Sequence, residues 1–218
     1  MKNETGNQLK TLLLIFNESD FLEDIAIENL FSRFPAIQRE GIENLIISVD
    51  VLDTLSALEV DTAAKKERLV RLISEKIRFV SEKSGLKNLF IISDYNQISD
   101  YNQVPDFSQP AVFSVYFVLG LGGRDELKII LSDFIEKCHN GEHSPSEMTP
   151  EFISSHLRLP FVPDFILSGS KNTLADFMIW QTVYSEYYYL DKDIGRLTDS
   201  DFRKAFENFK NRGRRYGV

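Results

Sequence analysis

Continuous apolar runs that alternate with segments of helical periodicity constrain the fold of this chain more than any other feature. Strands buried on both faces have continuous apolar sequences, and strands that alternate with helices form largely parallel sheets. The sequence therefore predicts an α/β fold with a mostly parallel central sheet flanked by helices. The predicted strands are Thr11–Phe16, Asn44–Val51, Asn88–Ser93, Ala111–Leu119 and Phe161–Leu167.

The predicted helices each bury one face. Apolar side chains between Ile27 and Phe34 share one side of the first helix, and Pro35 predicts its end. Lys65–Glu82 is a longer amphipathic helix, with its charges opposite the apolar face. Further helices are predicted after Gly120, Gly122 and Gly123, over Thr149–Leu157, and from the capping box of Thr198 and Asp201 onward.

The stretch from Pro163 to Tyr189 predicts a strand, a turn of small residues and an aromatic-rich helix. A strand, loop and helix in this order can hold an anion at the helix N-terminus, where backbone N–H groups point at it. The same aromatic residues also suit a buried core. The residues that give the helical spacing are Leu174, Phe177, Met178, Gln181, Tyr184 and Tyr188.

Residues 93–104 contain a short duplication, SDYNQI followed by SDYNQV. Structural repeats have periods of about 20–50 residues, so this stretch is too short to be one. We interpret it as a loop insertion closed by Pro105 and Pro110.

The composition describes one acidic globular domain. The chain has 218 residues, 43% of them apolar, and a formal net charge of −8, which argues against a general nucleic-acid-binding surface. Its single cysteine excludes an internal disulfide and fits a reducing compartment. The apolar run at Leu12–Phe16 is too short for a membrane span or a signal sequence. We therefore expect a cytoplasmic protein, for which contact with a membrane surface stays open.

The run ADFMIWQTVYSEYYY, which ends at Tyr189, resembles the signature of the cis-prenyltransferases, the undecaprenyl diphosphate synthase family. Members usually read Arg-Thr-Ser-Gly-Glu-x-Arg-Leu-Ser-Asn-Phe-Leu-Leu-Trp-Gln, followed by Tyr-x-Glu. Gly120–Leu127 (GLGGRDEL), Met148–Leu157 (MTPEFISSHL) and Arg214–Gly217 (RRYG) are similar to three further family segments, in the same order. The resemblance covers most of the chain and implies the family's fold. The signature positions that correspond are Asp176, Phe177, Trp180, Gln181, Tyr184 and Glu186.

The loop before this signature departs from the family pattern. The family's first arginine falls on Leu167, its glutamate on Lys171, its second arginine on Thr173 and its serine on Ala175. In the family these residues hold the diphosphate of isopentenyl diphosphate and its magnesium ion. Losing two arginines removes bidentate phosphate contacts that a lysine does not reproduce. The resemblance thus implies a degenerate site, although Lys171 could still attract an anion as a point charge.

The end of the first strand departs from the family in the same way. Asn17 stands where the family has an essential aspartate, and Glu18 stands at the following glycine. An amide does not replace a carboxylate as a magnesium partner or proton acceptor. Glu18, Asp20, Glu23 and Asp24 would repel a diphosphate. These acids could instead form a metal site, but acidic residues are also common in the first turn of a helix.

The C-terminal tail keeps the family's Arg-x-Gly pattern at Arg215 and Gly217. In the family this tail crosses the dimer interface and helps to bind the partner's diphosphates, so the resemblance implies a substrate-binding role in trans. We predict that residues 198–218 form a dimer-interface element. Aromatic residues favour interface cores, and the predicted interface residues are Trp180, Tyr184, Phe202 and Phe206.

Two other motifs give weaker predictions. Cys138, His139 and His143 are close enough in sequence to suggest zinc, but a structural zinc site needs four ligands. A polar surface loop is the better interpretation. The glycines at 120, 122 and 123 do not complete the spacing of a dinucleotide fingerprint.

The leading hypothesis is a non-catalytic subunit of a heteromeric cis-prenyltransferase, resembling the Nogo-B receptor type. Its partner, a catalytic subunit in a heterodimer or heterotetramer, would make a long polyprenyl diphosphate for a glycosyl carrier lipid. Isoprenoid diphosphates would bind through the complex, Mg²⁺ is expected in the catalytic partner, and we expect no cofactor or metal on this chain. Two alternatives stay open: a divergent homodimeric polyprenyl diphosphate synthase, and an isoprenoid-binding or regulatory module without catalysis.

Overall fold

A computed structural model of the chain describes residues 8–51, 62–93, 107, 113–169 and 176–212. Within these ranges six strands form one sheet in the order β3-β4-β2-β1-β5-β6, and every neighbouring pair is parallel. This confirms the predicted α/β fold with a mostly parallel sheet. The strands are β1 (Thr11–Asn17), β2 (Asn44–Asp50), β3 (Leu89–Ser93), β4 (Ser114–Leu119), β5 (Phe165–Ser168) and β6 (Glu186–Tyr189).

Helices cover the sheet, and two of them begin at side-chain caps that the sequence provides. The Thr149 hydroxyl accepts a hydrogen bond from the Phe152 amide at 3.1 Å, and the Thr198 amide donates to Asp201 at 2.9 Å. No helix in the described ranges combines the length and apolar composition needed to cross a lipid bilayer. The helices are α1 (Asp24–Arg39), α2 (Thr62–Ser84), α3 (Gly123–His139), α4 (Pro150–His156) and α5 (Asp199–Lys210), and shorter 3-10 turns cover Glu18–Phe21, Pro145–Glu147 and Ile194–Arg196.

The pleat of β1 divides its apolar residues between two core clusters. Successive side chains of a strand point to opposite faces of the sheet. Leu12, Leu14 and Phe16 join the larger cluster, which also contains the apolar faces of α1, α2 and α5. Leu13 and Ile15 join the smaller cluster on the opposite face. Full burial of one such side chain stabilises the fold by about 1.5–3 kcal/mol, so the continuous apolar sequence of β1 serves both layers.

The predicted end of the first helix at Pro35 is wrong, because α1 continues to Arg39. A proline inside a helix removes one backbone hydrogen bond at a cost of about 3 kcal/mol. Ile37, two residues beyond it, is fully buried and continues the apolar face of α1. Burial of this last turn therefore outweighs the missing hydrogen bond.

The predicted aromatic helix is also wrong, because Glu186–Tyr189 is a strand and the residues before it form turns. Met178 has a φ of 51°, in the left-handed region that interrupts a right-handed helix. The backbone N–H groups of Gln181 and Thr182 both donate to the carbonyl oxygen of Met178, at 3.0 Å each. Three consecutive tyrosines then favour an extended strand. Leu174, with which the predicted helix began, lies outside the described residues.

The strand predicted at Phe161 begins only at Phe165. Pro163 lacks the N–H that a strand interior needs. The next residue, Asp164, binds the segment at the start of β1. One of its carboxylate oxygens accepts hydrogen bonds from the backbone amides of Lys10 and Thr11, each at 2.9 Å. Most other boundaries shift by one to three residues, and the greater part of the duplicated SDYNQ loop, residues 94–104, lies outside the described ranges.

Candidate functional site

The candidate site lies at the carboxyl edge of the sheet. All six strands are parallel, so their C-terminal ends meet along one edge, and ligands of such sheets bind where the strand order reverses. In this sheet β2 lies on one side of β1, and β6 lies on the opposite side of β5. The chain therefore leaves the adjacent strands β1 and β5 in opposite directions, and the strand order reverses between them. Asn17 at the end of β1 is paired in register with Asp50 at the end of β2, and Ser168 ends β5.

At the start of the turn after β1, a carboxylate of the turn accepts a hydrogen bond from the backbone. The backbone N–H of Asn17 donates to the Asp20 carboxylate at 3.1 Å. Phe21 is fully buried, with its ring centroid 6.2 Å from those of both Phe16 and Phe117. Glu18, with 2% of its surface exposed, is also buried at this edge. The turn is therefore anchored in the core and carries negative charge where an anion-binding loop would offer N–H groups.

The N-terminus of α3 is occupied in a similar way by Asp176. The Gly123 amide donates to the Asp176 backbone oxygen at 2.6 Å, and the Arg124 amide donates to its carboxylate at 3.2 Å. A helix N-terminus attracts negative charge through its free N–H groups and its dipole. A Cβ at Gly122 would lie 3.2 Å from the Asp176 carboxylate, so a larger residue here would require that side chain to shift.

Little space remains between the ends of β2 and β4. A pocket of about 10 Å³ is bordered there by Ser48, Asp50, Gly120 and Phe177, which is room for about one water molecule. Gly120 has a φ of 65°, and a Cβ at this residue would lie 2.9 Å from Cε of Lys66. The stem of Lys66 thus packs directly over the turn that follows β4.

Several acidic side chains lie at this edge of the sheet. Glu18, Asp20, Asp50 and Asp176 lie at or near the strand ends. Cations lie there as well. The stem of Lys66 packs at Gly120, the guanidinium of the largely exposed Arg124 is 3.8 Å from Asp176, and Arg158 donates to the Ser93 carbonyl at the end of β3 at 3.2 Å. Arg196 borders the same pocket as Asp20. A ligand with several negative charges would meet repulsion above all at the ends of β1 and β4, where carboxylates already accept from the backbone amides of Asn17 and Arg124.

The other predicted site residues lie either in the core or outside the described residues. Leu167 is fully buried within β5 and belongs to the larger core cluster, so its side chain contributes packing in place of the family's arginine. Lys171, Thr173, Ala175, Arg215 and Gly217 all lie outside the described residues.

The four predicted interface residues divide into two pairs. Trp180 is half-buried and donates from its indole to the Ser154 hydroxyl at 3.0 Å, and Tyr184 is 60% exposed. Phe202 and Phe206 are only 2% and 3% exposed, because they pack in this chain's own core. An interface role for these two phenylalanines is therefore wrong, since their side chains are already covered.

Among the described residues no cluster of three or more acidic, histidine or cysteine side chains is arranged to hold a metal ion. His143 instead pairs with Glu147 at 2.6 Å, and this hydrogen bond lowers the pKa of the Glu147 carboxyl. Cys138 is half-buried near the C-terminus of α3. The site residues that the sequence analysis missed are Asp20 and Asp176 in their capping roles. The Asn-x-x-Asp spacing at residue 17 indicates the first, and no local pattern indicates the second.

Comparisons with known proteins agree with this architecture. Residues 40–217 match the family model described as "Putative undecaprenyl diphosphate synthase". The chain is 38% identical over 104 residues, 46% of its length, to an isoprenyl transferase of Shouchella clausii. It is 34% identical over 110 residues, 48% of its length, to the tritrans,polycis-undecaprenyl-diphosphate synthase (geranylgeranyl-diphosphate specific) of Methanocaldococcus jannaschii. These matches cover 40% and 39% of the two relatives, less than half of either protein.

Two solved structures share the fold over almost the whole chain. Lavandulyl diphosphate synthase from Lavandula x intermedia superposes with a TM-score of 0.77 and 16% identity, covering 97% of this chain and 99% of the other. A probable undecaprenyl diphosphate synthase from Campylobacter jejuni gives 0.71 and 19%, covering 96% and 99%. At these identities the likeness establishes the fold alone.

Proposed function

The chain belongs to the undecaprenyl diphosphate synthase family, and from that premise we propose that it is a non-catalytic subunit of a heteromeric cis-prenyltransferase. The catalytic partner would extend an allylic diphosphate with isopentenyl diphosphate and release a long polyprenyl diphosphate, the precursor of a glycosyl carrier lipid. Magnesium, which would neutralise the diphosphates, belongs to the partner's site in this proposal. This chain would stabilise the partner and complete its site from the C-terminal tail.

The observation that carries the proposal is the occupation of two backbone donor positions at the carboxyl edge by the chain's own carboxylates. Asp20 accepts from the Asn17 amide, and Asp176 accepts from the Arg124 amide. Two like charges about 4 Å apart repel by roughly 4 kcal/mol near a protein surface. A diphosphate carries several negative charges. To accept hydrogen bonds from these two backbone amides it would have to displace both carboxylates, and the displaced carboxylates would still lie close enough to repel it. The replacement of the family's arginine by buried Leu167 removes a compensating cation.

A second observation supports association with another subunit. Ile130 and Phe134 of α3 are buried, whereas Leu131 and Ile135, one turn apart, are 42% and 62% exposed. This helix therefore has one apolar face packed and another directed to solvent. Exposed apolar surface of this kind is typical of interaction sites. Exposed Tyr184, which precedes β6, keeps its predicted interface role in this proposal.

The tail would act in trans. Arg215 would contribute a guanidinium to diphosphates in the partner's site, and the backbone of Gly217 would allow a close approach to them. Guanidinium groups bind phosphates through two parallel hydrogen bonds, which suits this task.

A second candidate function is a divergent polyprenyl diphosphate synthase that acts without a partner. The names of the curated relatives, an isoprenyl transferase and an undecaprenyl-diphosphate synthase, favour it. Asn17 at the end of β1 argues against it, as do the carboxylates that accept from the backbone amides of Asn17 and Arg124.

The test compares this chain alone with this chain assembled with a catalytic cis-prenyltransferase homologue from the same genome. Polyprenyl product is measured from isopentenyl and farnesyl diphosphates with magnesium. We expect product only from the assembly, and we expect Arg215→Ala to reduce it strongly while Arg214→Ala, its neighbour in the tail, has little effect. Gel filtration checks that both variants still assemble. Turnover by the chain alone would favour the second candidate, and an assembly whose activity does not depend on this chain would contradict the accessory role.

A further inference from the structure

The outer face of α2 exposes large apolar side chains among basic ones. Leu72 is 42% exposed and Phe79 is 55% exposed. They are seven residues apart, which is about two helical turns, so they lie on the same side of the helix. The buried face of α2 is separate and contains Val70, Ile73 and Ile77. Leu72 and Phe79 therefore do not contribute to the core of this chain.

Every charged residue close to this apolar line is basic. At about 100° per residue, the side chains within about 40° of Leu72 are those of Lys65, Arg68, Lys76, Phe79 and Lys83. The acidic Glu75 and Glu82 follow at about 60° and 80° on one side. The helix as a whole has seven basic and three acidic residues, although the chain's net charge is −8. Four of these seven basic residues lie within that range, so the strip beside Leu72 and Phe79 is locally positive on an acidic protein.

Three contacts define the face further. The Lys83 ammonium lies 3.9 Å from the centre of the Phe79 ring, so a cation covers one side of the exposed aromatic. Lys76 donates to the Leu22 carbonyl at 3.0 Å and pairs with Asp24, so its charge is already used within the chain. Leu22 itself is 45% exposed and extends the apolar surface beside α2.

We propose that this face of α2 docks the chain on a membrane surface that contains anionic lipids. Helices that lie in the interface plane combine large apolar side chains with lysine and arginine on the flanks. Leu72 and Phe79 would enter the boundary between headgroups and acyl chains. Arg68 and Lys83 would contact anionic headgroups, to which basic residues near the surface are attracted. This inference does not rest on the proposed function, because it uses no residue of the carboxyl edge or of the tail.

Charge complementarity favours a lipid surface as the occupant. Arg68 and Lys83 are fifteen residues apart, which corresponds to roughly 22 Å along the helix. Over this length the helix presents one line of cations and apolar groups, the form that fits a flat anionic surface.

The experiment measures sedimentation of the whole chain with vesicles of phosphatidylcholine alone and of phosphatidylcholine mixed with phosphatidylglycerol. We expect binding to the mixed vesicles, weakening as salt is added. Arg68→Gln combined with Lys83→Gln should reduce the partition coefficient by roughly 25-fold, at about fivefold for each basic residue. The matched control is Arg203→Gln with Lys204→Gln, two exposed basic residues of α5, for which we expect little change.

The apolar contribution is tested separately. Leu72→Ser combined with Phe79→Ser should abolish most of the binding, whereas Leu131→Ser with Ile135→Ser, on the exposed face of α3, should leave it unchanged. Circular dichroism spectra confirm that each variant is folded. The proposal is overturned if the chain does not sediment with anionic vesicles, if neutral vesicles bind it equally well, or if the control pairs lose binding to the same extent as the α2 pairs.

Discussion

The larger core cluster and the carboxyl edge are built on the same strands but depend on different kinds of residue. The core consists of apolar side chains shared by β1, β2 and β4 with three helices, and many sequences of similar volume and pattern can fill it. The edge depends on a few polar residues, among them Asn17, Asp20 and Asp176. A fold can therefore persist after the chemistry at its strand ends has changed, which is why family membership alone does not assign catalysis.

The largest expected effect lies in the core. Phe117 of β4 is fully buried, and its ring is stacked with that of Phe31 at 5.9 Å. Phe117→Ala removes this packing and leaves a cavity, so we expect a loss of about 3–5 kcal/mol in the free energy of unfolding, measured by urea denaturation. A loss below 1 kcal/mol would show that the core is less tightly packed than the structure indicates, and the contrast with the edge would fail.

At the edge, a smaller effect on stability is expected from Asp176→Ala. The change removes the acceptor at the N-terminus of α3, which typically costs about 1 kcal/mol. The matched variant Asp176→Asn keeps a side-chain oxygen and should recover part of that loss. Urea denaturation of both variants separates the hydrogen bond from the charge. If neither variant were less stable than the wild type, the carboxylate would not act as a cap.

Asp201 gives a pH-dependent prediction away from both regions. Burial alone would raise the pKa of this carboxyl, but hydrogen bonds from Lys192 and from Thr198 outweigh it and lower the pKa to about 2. Because the folded-state pKa is depressed, the stabilisation is complete above the ordinary pKa near 3.8 and is lost as the pH falls toward 2. Asp201→Asn should cost about 1 kcal/mol at neutral pH, and the difference from wild type should shrink between pH 4 and pH 2. A constant difference across that range would contradict the assignment.

The smallest effect on stability is expected at the exposed face of α3. Leu131→Ser with Ile135→Ser alters side chains that contact mainly solvent in this chain, so the free energy of unfolding of the monomer should change by no more than about 0.5 kcal/mol for each substitution. Association with a subunit should weaken instead, as measured by sedimentation velocity of the mixture. Strong destabilisation of the isolated chain would show that this face belongs to the monomer's own core.

The strands of the central sheet could be predicted from sequence because their burial on both faces leaves a continuous apolar run. The sixth strand could not, because the residues before Glu186 repeat at a helical spacing while the three tyrosines suit a strand equally well. The left-handed conformation at Met178 decides between them, and no local pattern indicates it. The predicted end of α1 at Pro35 was wrong for a related reason. Burial of Ile37 in the core outweighs the local tendency of a proline to end a helix.

The candidate site was predictable only in part. The ends of β1 and β5 are evident from the sequence, and the capping role of Asp20 follows the Asn-x-x-Asp spacing. The contact of Asp176 with Gly123 and Arg124 joins residues about fifty positions apart, so it depends on how α3 packs beside the turns that precede β6. The burial of Phe202 and Phe206 likewise depends on where α5 docks, since an apolar helix face fits a core as well as an interface.

The central claim is that the carboxyl edge of this chain is not a diphosphate site, and titration calorimetry of isopentenyl diphosphate with magnesium into the isolated chain tests it most directly. We expect no measurable heat of binding for the wild type, and none for the control Asp199→Asn on the exposed start of α5. Micromolar binding by the wild-type chain, lost on changing a residue of the carboxyl edge such as Lys66→Ala, would contradict the claim and would place a working substrate site in this chain.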